Sequence, residues 1–103
     1  MKIDLLYFEG CPSWQDGLEN LKVALLRQKL TAEINLQRVD TDAEAARLQF
    51  LGSPSFRVDG IELWQERREQ YGLSCRVYST PSGLKGAPTV EMLQEKLSIF
   101  QNS

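Results

Sequence analysis

The sequence contains no histidine, only two cysteines and no long apolar run. Without imidazole, a Cys-His or Ser-His-Asp nucleophile and a zinc site built from cysteine and histidine are both excluded. Two cysteines are also too few for a four-cysteine zinc site within one chain. No stretch approaches the roughly 18 apolar residues that span a bilayer, and no basic segment followed by an apolar run opens the chain. We therefore expect a soluble protein with no membrane partner, and the cytoplasm is its default location.

The charge balance gives no sign of nucleic-acid binding. Twelve Lys and Arg residues stand against 14 Asp and Glu residues, which leaves a net charge of -2. No tract is rich in basic residues, since Arg67 and Arg68 lie between Glu66 and Glu69. With 103 residues, of which 42% are apolar, the composition is that of one globular domain, which we assign to residues 1–103.

The first third of the chain predicts a strand, a helix and a second strand. Residues 2–8 are apolar on both faces, as in a strand at the centre of a sheet. Pro12 suits the first position of a helix, and an apolar stripe with helical spacing continues to about Leu30. Residues 32–39 alternate between apolar and polar side chains, which is typical of an edge strand. A crossover connection makes these two strands parallel neighbours.

A second helix is predicted from Thr41, which begins a capping box with Glu44. This helix is expected to run to about Leu51 and to end at Gly52 as its C-cap. The order so far is strand, helix, strand, helix.

A hairpin and a last helix complete the pattern. Asp59-Gly60 lies between two short apolar segments and predicts a type I′ turn. Pro88 or Thr89 then opens a helix with one apolar stripe. The connection between hairpin and helix is predicted as a loop.

Two motifs carry a resemblance to a known superfamily. The turn Cys11-Pro12-Ser13-Trp14 and the segment GSPSFRVDG over residues 52–60 resemble a thioredoxin-superfamily protein over nearly the whole chain. The chain is similar in particular to small bacterial thioredoxin-family proteins with a Cys-Pro-x-Trp turn and a later GLSCRVY segment, some of which are labelled alkylmercury lyase. This resemblance implies an α/β, thioredoxin-like βαβαββα three-layer fold with a mixed four-stranded sheet.

The resemblance also implies a functional site. It predicts a cis peptide bond between Ser53 and Pro54, packed beside Cys11. We assign substrate binding to Pro12, Trp14, Ser53 and Pro54 on the same ground. Trp14 replaces the second cysteine of the thioredoxin dithiol motif, so no disulfide forms within this turn. The double-glycine and acidic turn with which glutaredoxins bind glutathione is missing as well.

Cys11 is the predicted nucleophile. It precedes a helix, whose unpaired N–H groups and dipole stabilise a thiolate. Glu9 and Asp16 oppose this effect, and no Lys or Arg lies within five residues. We expect Cys11 to be alkylated faster than Cys75, while an inert cysteine in a hydrophobic turn is the alternative.

Cys75 lies near the middle of residues 64–87, and a connection of about 24 residues is long for a compact domain. An up-down hairpin after Pro54 returns this segment to the edge of the sheet where Cys11 lies. Cys75 is therefore predicted to reach Cys11 and to form a disulfide with it, although a buried, inert cysteine is an equal alternative.

Three classes of function stay open. In the first, Cys11 is the nucleophile of a thiol-disulfide or peroxide-related oxidoreductase, and Cys75 or glutathione resolves the intermediate. The partner is then a thiol or a disulfide, either of a protein or of glutathione. In the second, Cys11 and Cys75 bind a soft ion such as Hg(II) or Cu(I). In the third, the thiols are inert, and Trp14, Trp64 and Tyr71 form the interface of an interaction module. No cofactor is expected, and the oligomeric state is a monomer or a homodimer.

Overall fold

The structure is a computed structural model that describes residues 1–101. The elements in chain order are β1 (Lys2–Tyr7), α1 (Trp14–Arg27), β2 (Glu33–Arg38), α2 (Asp42–Leu48), β3 (Ser55–Val58), β4 (Ile61–Glu62), β5 (Tyr78–Thr80), β6 (Gly83–Lys85) and α3 (Val90–Gln101). The protein is a mixed α/β fold with three helices in the part of the chain that is described.

The main sheet has four strands in the order β2-β1-β3-β4. Strands β1 and β2 are parallel, whereas β1 with β3 and β3 with β4 are antiparallel. The predicted mixed four-stranded sheet, with the first strand inside and the second at an edge, is confirmed. Asp59 and Gly60 join β3 to β4 with φ of 51° and 86°, the signs that a type I′ turn requires.

Apolar side chains cover both faces of the sheet. Successive residues of a strand point to opposite faces, so Leu5 and Leu6 of β1 enter different clusters. The Leu5 cluster packs against α1 and α3, and the Leu6 cluster packs against α2 with Phe50. The first strand is apolar on both faces because helices lie on both.

Helix α1 is shorter than predicted at both ends. It begins at Trp14 rather than Pro12, because the N–H of Cys11 donates to the carbonyl of Phe8 at 3.2 Å and the chain turns before the helix starts. It ends at Arg27 rather than near Leu30. Two residues after this end the backbone adopts a left-handed φ of 54°, and the N–H of Leu30 closes the helix on the carbonyl of residue 25 at 3.0 Å. Leu30 still packs on the core, which is why it belongs to the apolar stripe.

Helix α2 begins as predicted but ends early. The Thr41 hydroxyl accepts a hydrogen bond from the N–H of Glu44 at 3.1 Å, as a capping box requires. The helix ends at Leu48, because Gln49 adopts the left-handed conformation with φ of 54° and takes the C-cap position that was expected for Gly52.

The connection after β4 was predicted as a loop, and this prediction is wrong for its second half. Strands β5 and β6 form a second, two-stranded antiparallel sheet joined by Pro81-Ser82. The residues before it, 64–77, contain no named strand or helix. Among residues 1–101 no helix is both long enough and apolar enough to cross a membrane.

Candidate functional site

Cys11 lies in the turn after the central strand, where it is 1% exposed. Its thiol donates a hydrogen bond to the carbonyl of Ser53 at 3.3 Å. The Ser53-Pro54 peptide bond is cis, as predicted. The predicted position of Cys11 beside this bond is confirmed.

The backbone of Ser53 holds the segment that carries Cys75. The N–H of Ser53 donates to the carbonyl of Ser74 at 2.8 Å, and the N–H of Arg76 donates to the carbonyl of Ser53 at 2.9 Å. These two bonds form an isolated parallel bridge between Ser53 and Cys75. One residue therefore contacts both cysteines, with its carbonyl accepting from the Cys11 thiol and its two hydrogen bonds flanking Cys75.

The Cys75 thiol lies next to the Cys11 thiol. A hydrogen bond to Cys11, partial loss of solvent and the charge on Cys11 raise the pKa of Cys75 to about 11. Both residues are free thiols. The predicted proximity of Cys11 and Cys75 is confirmed, and their disulfide stays a prediction.

Exposure distinguishes the two sulfurs. Cys11 is buried, whereas Cys75 is exposed. Reagents meet an exposed thiol first, so burial opposes the expectation that Cys11 is alkylated faster than Cys75. The helix dipole also acts on Cys11 from farther away than expected, because α1 begins two residues later than predicted. Of the opposing carboxylates, Glu9 lies 3.4 Å from the Arg38 guanidinium, which offsets its charge.

A group of three charged residues anchors the Cys75 segment; we call it the arginine–glutamate cluster, made of Arg57, Glu62 and Arg76. Each guanidinium lies 3.0 Å from a different oxygen of Glu62. Arg76 is 7% exposed and also donates to the carbonyl of Trp64, and Arg57 donates to the carbonyl of Leu48 at 2.7 Å. The cluster thereby joins the end of α2, both strands of the first hairpin and the residue next to Cys75.

Tyr78 makes the second anchor, from the first residue of β5. Its buried hydroxyl donates to the carbonyl of Pro54 at 2.5 Å, and burial raises the pKa of this hydroxyl above its usual range. The ring meets Trp64 edge to face with centroids 5.1 Å apart, and the Arg76 guanidinium lies 5.2 Å above it. The cis peptide is thus contacted from the Cys75 side as well as from the Cys11 side.

Helix α1 packs closely on Pro54. A Cβ atom placed on Gly17 would lie 2.9 Å from the Pro54 ring and 3.2 Å from the ring of Phe56. Only glycine allows this approach, which explains why α1 contains a residue that weakens a helix by about 1 kcal/mol relative to alanine.

The hydroxyl of Ser53, which is fully buried, has no hydrogen-bond partner among residues 1–101. Such groups are rare in folded proteins and mark positions of interest.

The residues assigned to substrate binding lie in different environments. Ser53 and Pro54 are buried, and Pro12 is exposed. Trp14 is half-buried and stacks on Tyr7 with ring centroids 4.1 Å apart. Ser53 accepts from the Cys11 thiol, and the contact of all four residues with substrate stays a prediction.

The donor set restricts what a metal ion could find here. Within residues 1–101 no group of three or more His, Cys, Asp or Glu side chains is placed to hold a metal ion. The two sulfurs are the donors at this site, and two thiolates in a near-linear arrangement suit a soft ion.

The sequence predictions missed the residues that build the support of the site. Arg76, Glu62 and Tyr78 position Cys75, yet their local patterns are those of an ordinary surface and an ordinary strand. The one available signal is Arg76 itself, a charged residue between Cys75 and the apolar pair Val77-Tyr78. An arginine that is buried among apolar neighbours needs a charged partner.

No protein-family model matches this chain, and comparisons with curated proteins and with solved structures gave no significant match.

Proposed function

We propose that this protein is a thiol-disulfide oxidoreductase whose redox group is the pair Cys11 and Cys75. The observation that carries the proposal is the double use of Ser53. Its carbonyl accepts from the Cys11 thiol, and its backbone N–H and carbonyl bind the residues on either side of Cys75. Two cysteines far apart in sequence are thereby held at the same residue as free thiols.

The proposal includes a thioredoxin-like fold. What supports it is the parallel pairing of β1 with β2, the antiparallel pairing of β1 with β3, helices on both faces of the sheet and a cis proline beside the first cysteine. In such a fold the dithiol normally lies within the first turn. Here Trp14 fills the place of the second cysteine, and Cys75 supplies the thiol from a distant segment.

The reaction is a two-electron exchange. The pair is oxidised to a Cys11–Cys75 disulfide, and an organic disulfide R–S–S–R is reduced to two R–SH. One S–S bond forms as another breaks, and the two thiol protons end on the two released sulfurs. We place the protein in the cytoplasm as part of this proposal, because thiol reductants there return an accessible disulfide to the dithiol.

The test is oxidation of the reduced protein with one equivalent of a small disulfide, followed by peptide mapping of the bonds. We expect an intramolecular Cys11–Cys75 bond and two released thiols per chain, and then full recovery of the dithiol with glutathione. The Cys75→Ser variant is the matched control and should stop at a mixed disulfide or a dimer. A wild-type protein that gives only Cys11 dimers or glutathione adducts, with no internal bond, would refute the proposal.

A second function is favoured by the donor set, namely binding of a soft ion such as Hg(II) or Cu(I) by the same two sulfurs. Both thiols must then be reduced in the working state, whereas an oxidoreductase must cycle. Titration of the reduced protein with Hg(II) separates the two. A one-to-one complex that the Cys75→Ser variant fails to form, in a protein whose dithiol does not cycle with glutathione, would favour the carrier.

A further inference from the structure

We infer that the external partner exchanges at the sulfur of Cys75, and that Cys11 acts from the buried side by closing or leaving the internal disulfide. This inference rests on the proposed function and adds to it the order of the two steps. It also reverses the roles that the sequence pattern favours, in which Cys11 attacks first and Cys75 resolves.

An external disulfide has access to Cys75 but not to Cys11. An attacking group and its substrate must bring three sulfurs together, and a buried sulfur cannot meet an external disulfide without opening of the surrounding structure. Cys11 is 1% exposed, and Ser53 and Pro54 beside it are buried. Cys75 is exposed, in a segment without a named strand or helix.

The same difference in exposure applies to the disulfide. A thiolate attacks a disulfide sulfur in line with the S–S bond, and the far sulfur leaves. Of the two cysteines, Cys75 is exposed and Cys11 is buried. An external thiolate therefore reaches Cys75, and Cys11 is the leaving group.

The Cys75 thiol gives its proton to a base in solvent, and its thiolate attacks R–S–S–R, so that R–S⁻ leaves with the electron pair of the broken bond. Cys11 then gives its proton to solvent base and attacks Cys75, which releases the second R–S⁻. The dithiol is oxidised and R–S–S–R is reduced. Reduction of the protein follows the same path backwards through the mixed disulfide on Cys75.

The decisive experiment uses the wild-type chain, so that it depends on no variant. The reduced protein is mixed with 5,5′-dithiobis(2-nitrobenzoate), quenched with acid at early times, and mapped by mass spectrometry. We expect the first adduct on Cys75, followed by its loss as the internal disulfide forms. A first adduct on Cys11 would overturn the inference while leaving the proposed dithiol function in place.

Single-cysteine variants measure the same difference quantitatively. Each is compared with its own urea-unfolded form, so that intrinsic thiol reactivity cancels. Folding should slow Cys11 in Cys75→Ser by about 100-fold or more and slow Cys75 in Cys11→Ser by less than about tenfold, since only the former needs local opening. Far-ultraviolet circular dichroism confirms that both variants are folded, and Cys11→Ala replaces Cys11→Ser if that variant is not.

Equal slowing of the two cysteines, or stronger slowing of Cys75, would overturn the inference. Absence of any internal disulfide in wild type, with a stable adduct on Cys75, would instead refute the proposed function and with it the inference. The two failures are therefore distinguishable.

Discussion

The two segments that carry the cysteines differ in how they are held. The turn at Cys11 is continuous with the central strand and leads into α1. Local contacts shape it, namely a hydrogen bond to Phe8 and a stack of Trp14 on Tyr7, and the Cys11 thiol adds one bond to the distant Ser53. The segment at Cys75 has no named strand or helix around it. It is held by distant partners: the backbone of Ser53, the carboxylate of Glu62 and the carbonyl of Trp64.

This difference teaches where the second thiol of a dithiol can come from. A Cys-x-x-Cys turn brings its two sulfurs together by local geometry, so no contact with a distant segment is needed. Here the same result needs two backbone hydrogen bonds and a buried arginine. The local segment supplies the buried sulfur and the distant segment the exposed one, so the two thiols are expected to differ in role.

The largest effect is expected from linking the two segments covalently. A Cys11–Cys75 disulfide closes a ring of about 65 residues and should stabilise the fold by about 4 kcal/mol if it forms without strain. For a domain of this size the melting temperature should rise by more than about 15 °C. Calorimetry of oxidised and reduced wild type measures this. Cys75→Ser treated with the same oxidant should show no gain in stability. A wild-type gain below about 1 kcal/mol would mean that the disulfide distorts the backbone hydrogen bonds of Ser53.

The next effect is expected from Arg76→Met, which removes an anchor of the distant segment only. Glu62 would lose one of its two partners while staying buried, and the free energy of unfolding should fall by about 2–3 kcal/mol, less than for a fully unpaired carboxylate because Arg57 remains. Urea unfolding measures the loss. Disulfide formation between the cysteines should also slow, since Cys75 is less well held.

Arg67→Met is the matched control for this prediction. Arg67 belongs to the same connection, is exposed, and is expected to change stability by less than about 0.5 kcal/mol. Equal losses from the two variants would show that the arginine–glutamate cluster does not anchor the Cys75 segment.

A smaller effect is expected where the Cys11 turn meets the residue after β6. A Cβ atom on Gly86 would lie 2.2 Å from the hydroxyl of Ser13, so Gly86 packs directly against the Ser13 side chain. Gly86→Ala should lower the free energy of unfolding by about 1–2 kcal/mol through overpacking. Adding Ser13→Gly removes the clashing atoms and should restore most of the loss, because Ser13 makes no side-chain cap bond. A double variant no more stable than Gly86→Ala would place the cost elsewhere.

The smallest effect is a dependence of stability on pH. Folding raises the pKa of Cys75 from 9.0 to about 11. The unfolded chain therefore loses this proton first, and the contribution of the pair is complete below pH 9 and is lost as the pH rises to 11. Because Cys75 is exposed, we expect less than about 1 kcal/mol.

Urea unfolding of the reduced wild type and of Cys75→Ser between pH 9 and pH 10 isolates this contribution, since Tyr78 contributes equally in both proteins. Cys11→Ala removes the thiol beside Cys75 and should flatten the profile nearly as much as Cys75→Ser does. An unchanged slope in Cys11→Ala would show that Cys11 does not raise the pKa of Cys75.

Local patterns in the sequence determined most of the elements. Alternation, helical spacing and the Asp59-Gly60 turn predict the strands, helices and first hairpin, because each depends on residues within a few positions. The place of Cys11 before a helix marked it as a nucleophile, and the resemblance to the thioredoxin superfamily predicted the cis bond at Pro54. The C-terminal ends of α1 and α2 were wrong by three residues, because left-handed Lys29 and Gln49 stop these helices and neither residue type signals this.

The tertiary structure decided the second half of the site. Topology predicted that Cys75 returns to the edge where Cys11 lies, but local patterns indicated neither the β5–β6 hairpin nor the anchoring of Cys75 by Ser53 and Arg76. Local patterns also gave no sign of which of the two cysteines is exposed. Burial is the sum of contacts from every element packed around an atom, and most of these partners are distant along the chain. The sequence determined that two thiols are available, whereas folding decided that Cys75 meets the solvent and Cys11 does not.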